Sequence, residues 1–148
     1  MLAPVTMLEN LQAMVAGGLP GPPVAQLLGM RLVEVDDGRA VFELDTDGRF
    51  WNPMGTVHGG IICDLADGAL GVCWASTLAE GETFTTVELK INFLRPVREG
   101  RLRAVGTVTK RGRHIGITEC EVTDEEGRLV AKASATVMTL RGVPAEGR

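Results

Sequence analysis

Asn52-Pro53-Met54-Gly55-Thr56-Val57-His58-Gly59-Gly60-Ile61-Ile62-Cys63-Asp64-Leu65-Ala66-Asp67 is the stretch on which the reading of this chain turns. Its first part reads as a loop, because Asn, Pro and Gly within four residues interrupt helix and strand alike. Its second part opens a helix that runs from His58 to about Leu78. Ile61, Ile62, Leu65, Ala66, Ala69, Leu70, Val72 and Trp74 leave that helix apolar nearly all round, which predicts burial. Gly59 and Gly60 at its start, and Gly68 and Gly71 inside it, lower helix propensity. They also let another backbone come close.

Two positions in this stretch invite a chemical reading. Asp67 sits mid-helix between Ala66 and Gly68. Aspartate is a poor helix former there, and a carboxylate among apolar neighbours is costly unless it is paired or used. Asp64, one turn away, is the better candidate for a solvated strip. The helix start is the second position. Its first N–H groups lack intrahelical partners and mark the positive end of the helix dipole. Glycine there lets a carbonyl oxygen reach those donors, as an oxyanion hole requires. The same glycines could equally serve packing alone.

Working outward, Thr6-Met7-Leu8-Glu9 is a capping box and predicts a helix to about Ala16. The glycine- and proline-rich run 17–23 ends it. A short helix over Val24–Leu28 is stopped by Gly29. Met30–Glu34 and Ala40–Leu44 flank Asp36-Asp37-Gly38 as a hairpin. After the long helix come four strands, Phe84–Leu94, Leu102–Thr109, Ile115–Val122 and Leu129–Leu140, the last three an antiparallel meander. Alternation puts Val87, Leu89, Ile91 and Phe93 on one face and Thr86 on the other. The expected architecture is α+β, a single antiparallel sheet wrapped around one long helix. One domain spans 1–148: a helix and linker over 1–23, a core over 24–140 and a frayed tail over 141–148.

Composition narrows the function. The chain has 148 residues, 45% hydrophobic, 4% aromatic and no Tyr, so its core is aliphatic. A net charge of −4 gives no general attraction to nucleic acid or to an anionic membrane. No apolar run is long enough to span a membrane, and the N-terminus lacks the basic region of a signal peptide. Cys63, Cys73 and Cys120 are odd in number and not spaced for a zinc site, which points to reduced thiols in the cytoplasm. Neither a metal nor another cofactor is expected. The charge is uneven, however. Residues 95–113 carry seven basic side chains against Glu99 alone, net +6, leaving about −10 elsewhere. Such a segment suits a small anionic ligand.

The quoted stretch resembles the hotdog-fold thioesterases, in the phenylacetic-acid-degradation (PaaI-like) branch. An Asn, a Gly, then His-Gly-Gly, then Leu-Ala-Asp with the Asp nine positions after the His are all present. The strand ending Phe93-Leu94-Arg95-Pro96 also matches, and the resemblance runs from about Val24 to Leu140. It implies a hotdog fold and hydrolysis of an acyl-CoA, of aryl or phenylacetyl type among the options. The alternative is a non-catalytic acyl-CoA sensor or regulatory protein on the same fold. It implies Asp67 as nucleophile or general base, Gly59 as carbonyl polariser and Asn52 as its helper. Thr86 matches a position that helps to hold the attacking water, or is simply a strand former. His58 would orient the loop and first helical turn, and Gly60 would border the substrate. Coenzyme A carries several phosphates, for which Arg95, Arg111 and Arg113 are candidates. Arg101 and Arg103 fit solvated strand positions better, and His114 a turn.

Gly59 and Asp67 are about 12 Å apart along one helix axis, too far to meet at one carbonyl carbon. Two antiparallel copies would bring them together. The resemblance implies the same: a homodimer as the minimal active unit, and a homotetramer as the assembly.

Overall fold

The structure is a computed structural model and describes residues 5–142. Thr6 and Glu9 form the expected capping box: the Thr6 hydroxyl accepts the Glu9 N–H at 3.2 Å, and the Glu9 carboxylate accepts the Thr6 N–H at 2.7 Å. They start α1, Met7–Val15. Helix α2 covers Pro23–Leu28 and stops at Gly29, whose φ of 80° is left-handed. Strands β1 (Arg31–Asp36) and β2 (Arg39–Thr46) make the hairpin. A single 3-10 turn at Gly48–Phe50 and an extended loop lead to α3, Gly59–Ala75. Strands β3 (Glu82–Phe93), β4 (Gly100–Arg111), β5 (Ile115–Thr123) and β6 (Leu129–Arg141) complete the chain. Arg141, expected in a frayed tail, pairs with Glu82 across the sheet. Residues 143–148 lie outside the described residues.

All six strands form one antiparallel sheet in the order β1-β2-β4-β5-β6-β3, with the expected meander at β4-β5-β6. Helix α3 lies across one face of it, closest to β4, β2 and β5. Leu65, Leu70 and Trp74 are fully buried in that contact, and each such side chain contributes about 1.5–3 kcal/mol on leaving water.

The close backbone approach expected at Gly68 and Gly71 occurs elsewhere. Gly71 faces the Phe84 ring and Gly68 faces Phe42. The helix backbone instead comes down on β4, where a Cβ on Gly106 would lie 2.3 Å from the Ala69 carbonyl oxygen. A Cβ on Gly116 would lie 2.1 Å from the Trp74 ring. Side chains of the sheet thus fill the space above the helical glycines, and glycines of the sheet admit the helix.

Nor is α3 covered all round. Gly60, Asp64 and Asp67 are exposed and recur at i, i+4 and i+7, so they share one face. The sheet takes the opposite side. The sequence predicts Asp64 alone on a solvated strip and Asp67 among apolar neighbours; the structure puts both acids on the same exposed strip, because i, i+4 and i+7 share a helix face. Helix α1 packs beside it, with Leu11 buried against the cluster that holds Val35 and Trp74.

β3 is twelve residues long and forms one edge of the sheet, paired with β6 alone. A bulge at Val87 interrupts it, since Thr86 pairs with Val137 and Glu88 with Thr136. Cross-strand partners point to the same face, and Val137 is fully buried on the helix side. Thr86 therefore faces inward, on the same side as Leu89, and Val87 is 58% exposed. This reverses the reading from simple alternation, because a bulge inserts one residue and shifts the period.

Candidate active site

The loop before α3 is held by Asn52. Its side-chain oxygen accepts the N–H groups of Met54 (2.9 Å) and Thr56 (3.2 Å), and its Nδ2 donates to the Thr56 hydroxyl at 2.9 Å. Two acceptor bonds and one donor bond leave one Nδ2 hydrogen. Asn52 borders a cavity of about 340 Å³ lined also by Gly59, Ile62, Phe93 and Arg95, among others. Asn52 and Gly59 are thus brought together.

His58 is the N-cap of α3, and its Nδ1 accepts the Gly60 N–H at 2.9 Å. That bond ties the His58 ring to the first turn of the helix, with Nδ1 as acceptor. The same bond engages Gly60, so the Gly60 N–H is not available to a substrate. Ile61 and Ile62 donate to the His58 carbonyl. The Gly59 N–H remains as the first-turn donor without a helical partner. A Cβ on Gly59 would lie 2.9 Å from the Phe93 ring. Glycine at 59 therefore admits the Phe93 ring, and it also borders the cavity of Asn52.

Asp67 opens into a different cavity, of about 490 Å³, walled by Leu11, Met14, Val24, Met30, Phe42 and Val72. Its carboxylate reaches solvent at the rim, yet enough protein surrounds it to shift its titration. Partial burial pushes its pKa up from the usual 3.8, and the charge of Asp64 adds to the rise. A raised carboxylate is a stronger base once ionised. Cys63 is no rival nucleophile, because burial and then the charges of Asp67 and Asp64 push its thiol up. Cys73 and Cys120 are pushed up to about 12 by burial.

The basic residues do not form one patch. β4 spans them lengthwise, about 36 Å from end to end, so Arg95 and Arg113 lie far apart. Arg101 and Arg103 are spent on Glu43 and Asp45 of the adjacent β2 and on Glu34 of β1 beyond it. Arg111 stacks on the Trp74 ring, 5.0 Å from its centre, and pairs with Glu82 at 3.4 Å. These ties weigh against a ligand role for Arg111. Arg95 borders the cavity of Asn52 and Gly59. Arg113 is exposed and makes no side-chain ion pair among the described residues. Its carbonyl accepts from Arg141, whose guanidinium also meets His114 Nδ1 at 3.1 Å.

Sequence reasoning missed Phe93 as the ring over Gly59, and the apolar wall that α1 and α2 raise beside Asp67. The glycine at the helix start was the signal for the first. The second had none, because wall residues acquire their meaning from packing.

Residues 54–131, which include Gly59, Asp67 and Thr86, match the thioesterase superfamily. The chain belongs to that family. It is 34% identical to a provisionally named esterase of Saccharolobus solfataricus, over 80% of this chain and 84% of that one. It is 31% identical to the 1,4-dihydroxy-2-naphthoyl-CoA hydrolase of Escherichia coli, over 90% of this chain and 94% of that one. A crystal structure from Ralstonia eutropha, of a phenylacetic acid degradation-related protein, superposes with a TM-score of 0.78 at 33% identity. It covers 86% of this chain and 98% of its own. The fold is the hotdog fold, and this thioesterase is a thioester hydrolase of the PaaI-like branch. Among the described residues, no helix of this thioesterase is long and apolar enough to cross a membrane.

Proposed function

We propose that this thioesterase hydrolyses an acyl-CoA to the free acid and coenzyme A at sites shared by two chains. Asp67 comes from one chain, and Gly59 with Asn52 from the other. The observation that carries this reading is that Asp67 and Gly59 open into separate cavities of one chain. The long free edge of β3 and the uncovered Gly60-Asp64-Asp67 strip of α3 are the two surfaces such pairing would cover. An unpaired twelve-residue edge seeks a partner strand. Two copies joined there would set the strips side by side and the helices antiparallel. Val87 and Ile115, both exposed, offer further apolar contact for a homotetramer.

In this arrangement the Gly59 N–H and the spare Asn52 Nδ2 hydrogen stabilise the thioester oxygen as it gains charge. Asp67 either takes a proton from the attacking water or attacks the carbonyl itself and forms an anhydride that water then opens. Thr86, on the inner face, would hold the water. Arg95 is the leading partner for coenzyme A phosphates and Arg113 the second. The naphthoyl-CoA and phenylacetic acid names of relatives favour an aryl acyl group. The free cysteines suit a reducing, cytoplasmic setting. Thiol release measured across aryl, short-chain and long-chain acyl-CoAs tests the reading. Turnover without added metal supports it. Binding without turnover on the whole panel would establish a sensor instead.

A further inference from the structure

The apolar cavity beside Asp67 is built largely by a part of the chain that lies before the matched family region, which begins at residue 54. Leu11 and Met14 of α1, Pro22 before α2 and Val24 within it face Met30, Phe42 and Val72 across the cavity. Its charged members are Asp64 and Asp67, and no cation joins them. A second cavity of about 390 Å³ adjoins it. Met14, Gly21, Pro22, Ala25, Met30 and Phe42 line both, and Met14, Met30 and Phe42 are the large side chains of that shared partition; the second cavity also borders Arg31. Leu11 is buried against the Trp74 cluster and the capping box fixes the start of α1, so the wall is anchored.

We propose that the α1–α2 segment is the specificity wall of this enzyme, with Met14 setting how long an acyl group fits. The proposal rests on the reading of Asp67 as the catalytic acid. The cavity reaches Asp67 at its rim, so a thioester attacked there would lodge its acyl group against the wall. In the cavity beside Asp67, two carboxylates and no cation reject a short acyl group that carries its own carboxylate, by like-charge repulsion and unpaired burial. The class of substrate is therefore an uncharged apolar acyl group. Methionine is flexible and tolerates more than one shape, but an unbranched chain that outgrows the first cavity must displace the partition.

The test uses the full-length protein and straight-chain acyl-CoAs from butanoyl to hexadecanoyl, with succinyl-CoA as the charged comparison. Met14→Ala opens the partition and keeps a good helix former. Its kcat/KM optimum should move to longer chains, with a gain of about fourfold for each methylene newly accommodated. Met14→Trp should move the optimum shorter. Butanoyl-CoA should change less than about threefold in either variant, because it does not reach the partition. Succinyl-CoA should be at least about tenfold poorer than butanoyl-CoA for the wild type. Equilibrium binding of the same series to Asp67→Asn needs no turnover and separates the two readings. If turnover is absent but binding shows the length dependence and its Met14 shift, the catalytic reading fails and the wall stands. A length profile that Met14→Ala and Met14→Trp both leave unmoved, in turnover and in binding, overturns the wall.

Discussion

Gly59 and Asp67 share one helix, eight residues apart, and yet open into different cavities, Gly59 beside Asn52 and Phe93, Asp67 beside Met14 and Met30. A carbonyl polariser and the group that delivers the attack must converge on one carbon. Mixed dimers test whether two chains supply them. Asn52→Asp keeps the two acceptor bonds that fold the loop, since the Thr56 hydroxyl can turn to donate, but aims negative charge at the carbonyl oxygen. Asn52→Asp and Asp67→Asn chains should each be nearly inactive. Co-refolded, they should recover about a quarter of wild-type activity per subunit, if half the dimers are mixed and each holds one intact site. Mixed dimers that form and stay inactive would place both residues in the same site of one chain.

Asp67→Asn should lower turnover by at least about 100-fold while removing only a charge. It should not lower Tm at neutral pH. The folded-state pKa of Asp67 is raised above the usual 3.8, so folding favours its protonated form. That contribution is present at low pH and is lost as pH rises through the raised value. At neutral pH the ionised carboxylate is thus unfavourable to the fold, and Asn relieves it. A clear fall in Tm with the activity would make Asp67 a structural residue.

The acid limb of the pH–rate profile should lie above 3.8, because activity needs ionised Asp67 and burial raises its pKa. Asp64→Asn should move that limb to lower pH, since it removes the second cause of the rise. Turnover on the plateau should change little. A limb that stays put in Asp64→Asn would mean that another group governs it.

Arg95→Glu and Arg113→Glu should raise KM for acyl-CoA more than they lower kcat, and less so for a pantetheine thioester that lacks the nucleotide. Arg111→Glu should behave differently. It breaks the stack on Trp74 and sets a negative charge beside Glu82, so its main effect should be a lower Tm. Kinetic effects confined to Arg111, with Arg95 and Arg113 silent, would reverse this assignment.

Gly106→Ala should cost about 1–3 kcal/mol or more, because its Cβ would meet the Ala69 carbonyl at 2.3 Å. Gly68→Ala should be mild or stabilising, since the nearest atoms to its Cβ are 3.7 Å away on the Phe42 ring and alanine is the better helix former. Denaturant unfolding of both variants checks the contrast.

The sequence by itself determined the order of elements, the capping box at Thr6, the stop at Gly29 and the meander of the last three strands. Each of these rests on near-neighbour chemistry that a residue carries with it. Burial cost and helix-start chemistry made Asp67, Gly59 and His58 candidates, and the resemblance of the whole stretch added Asn52. Tertiary structure alone decided which way Thr86 faces, because the bulge at Val87 depends on pairing with β6. It alone decided that Arg111 stacks on Trp74 and pairs with Glu82. It also decided which glycines touch backbone. The reason is common to all of these: contacts between residues far apart in the chain are fixed by how the sheet and α3 stack, and no period or motif within one segment encodes that distance.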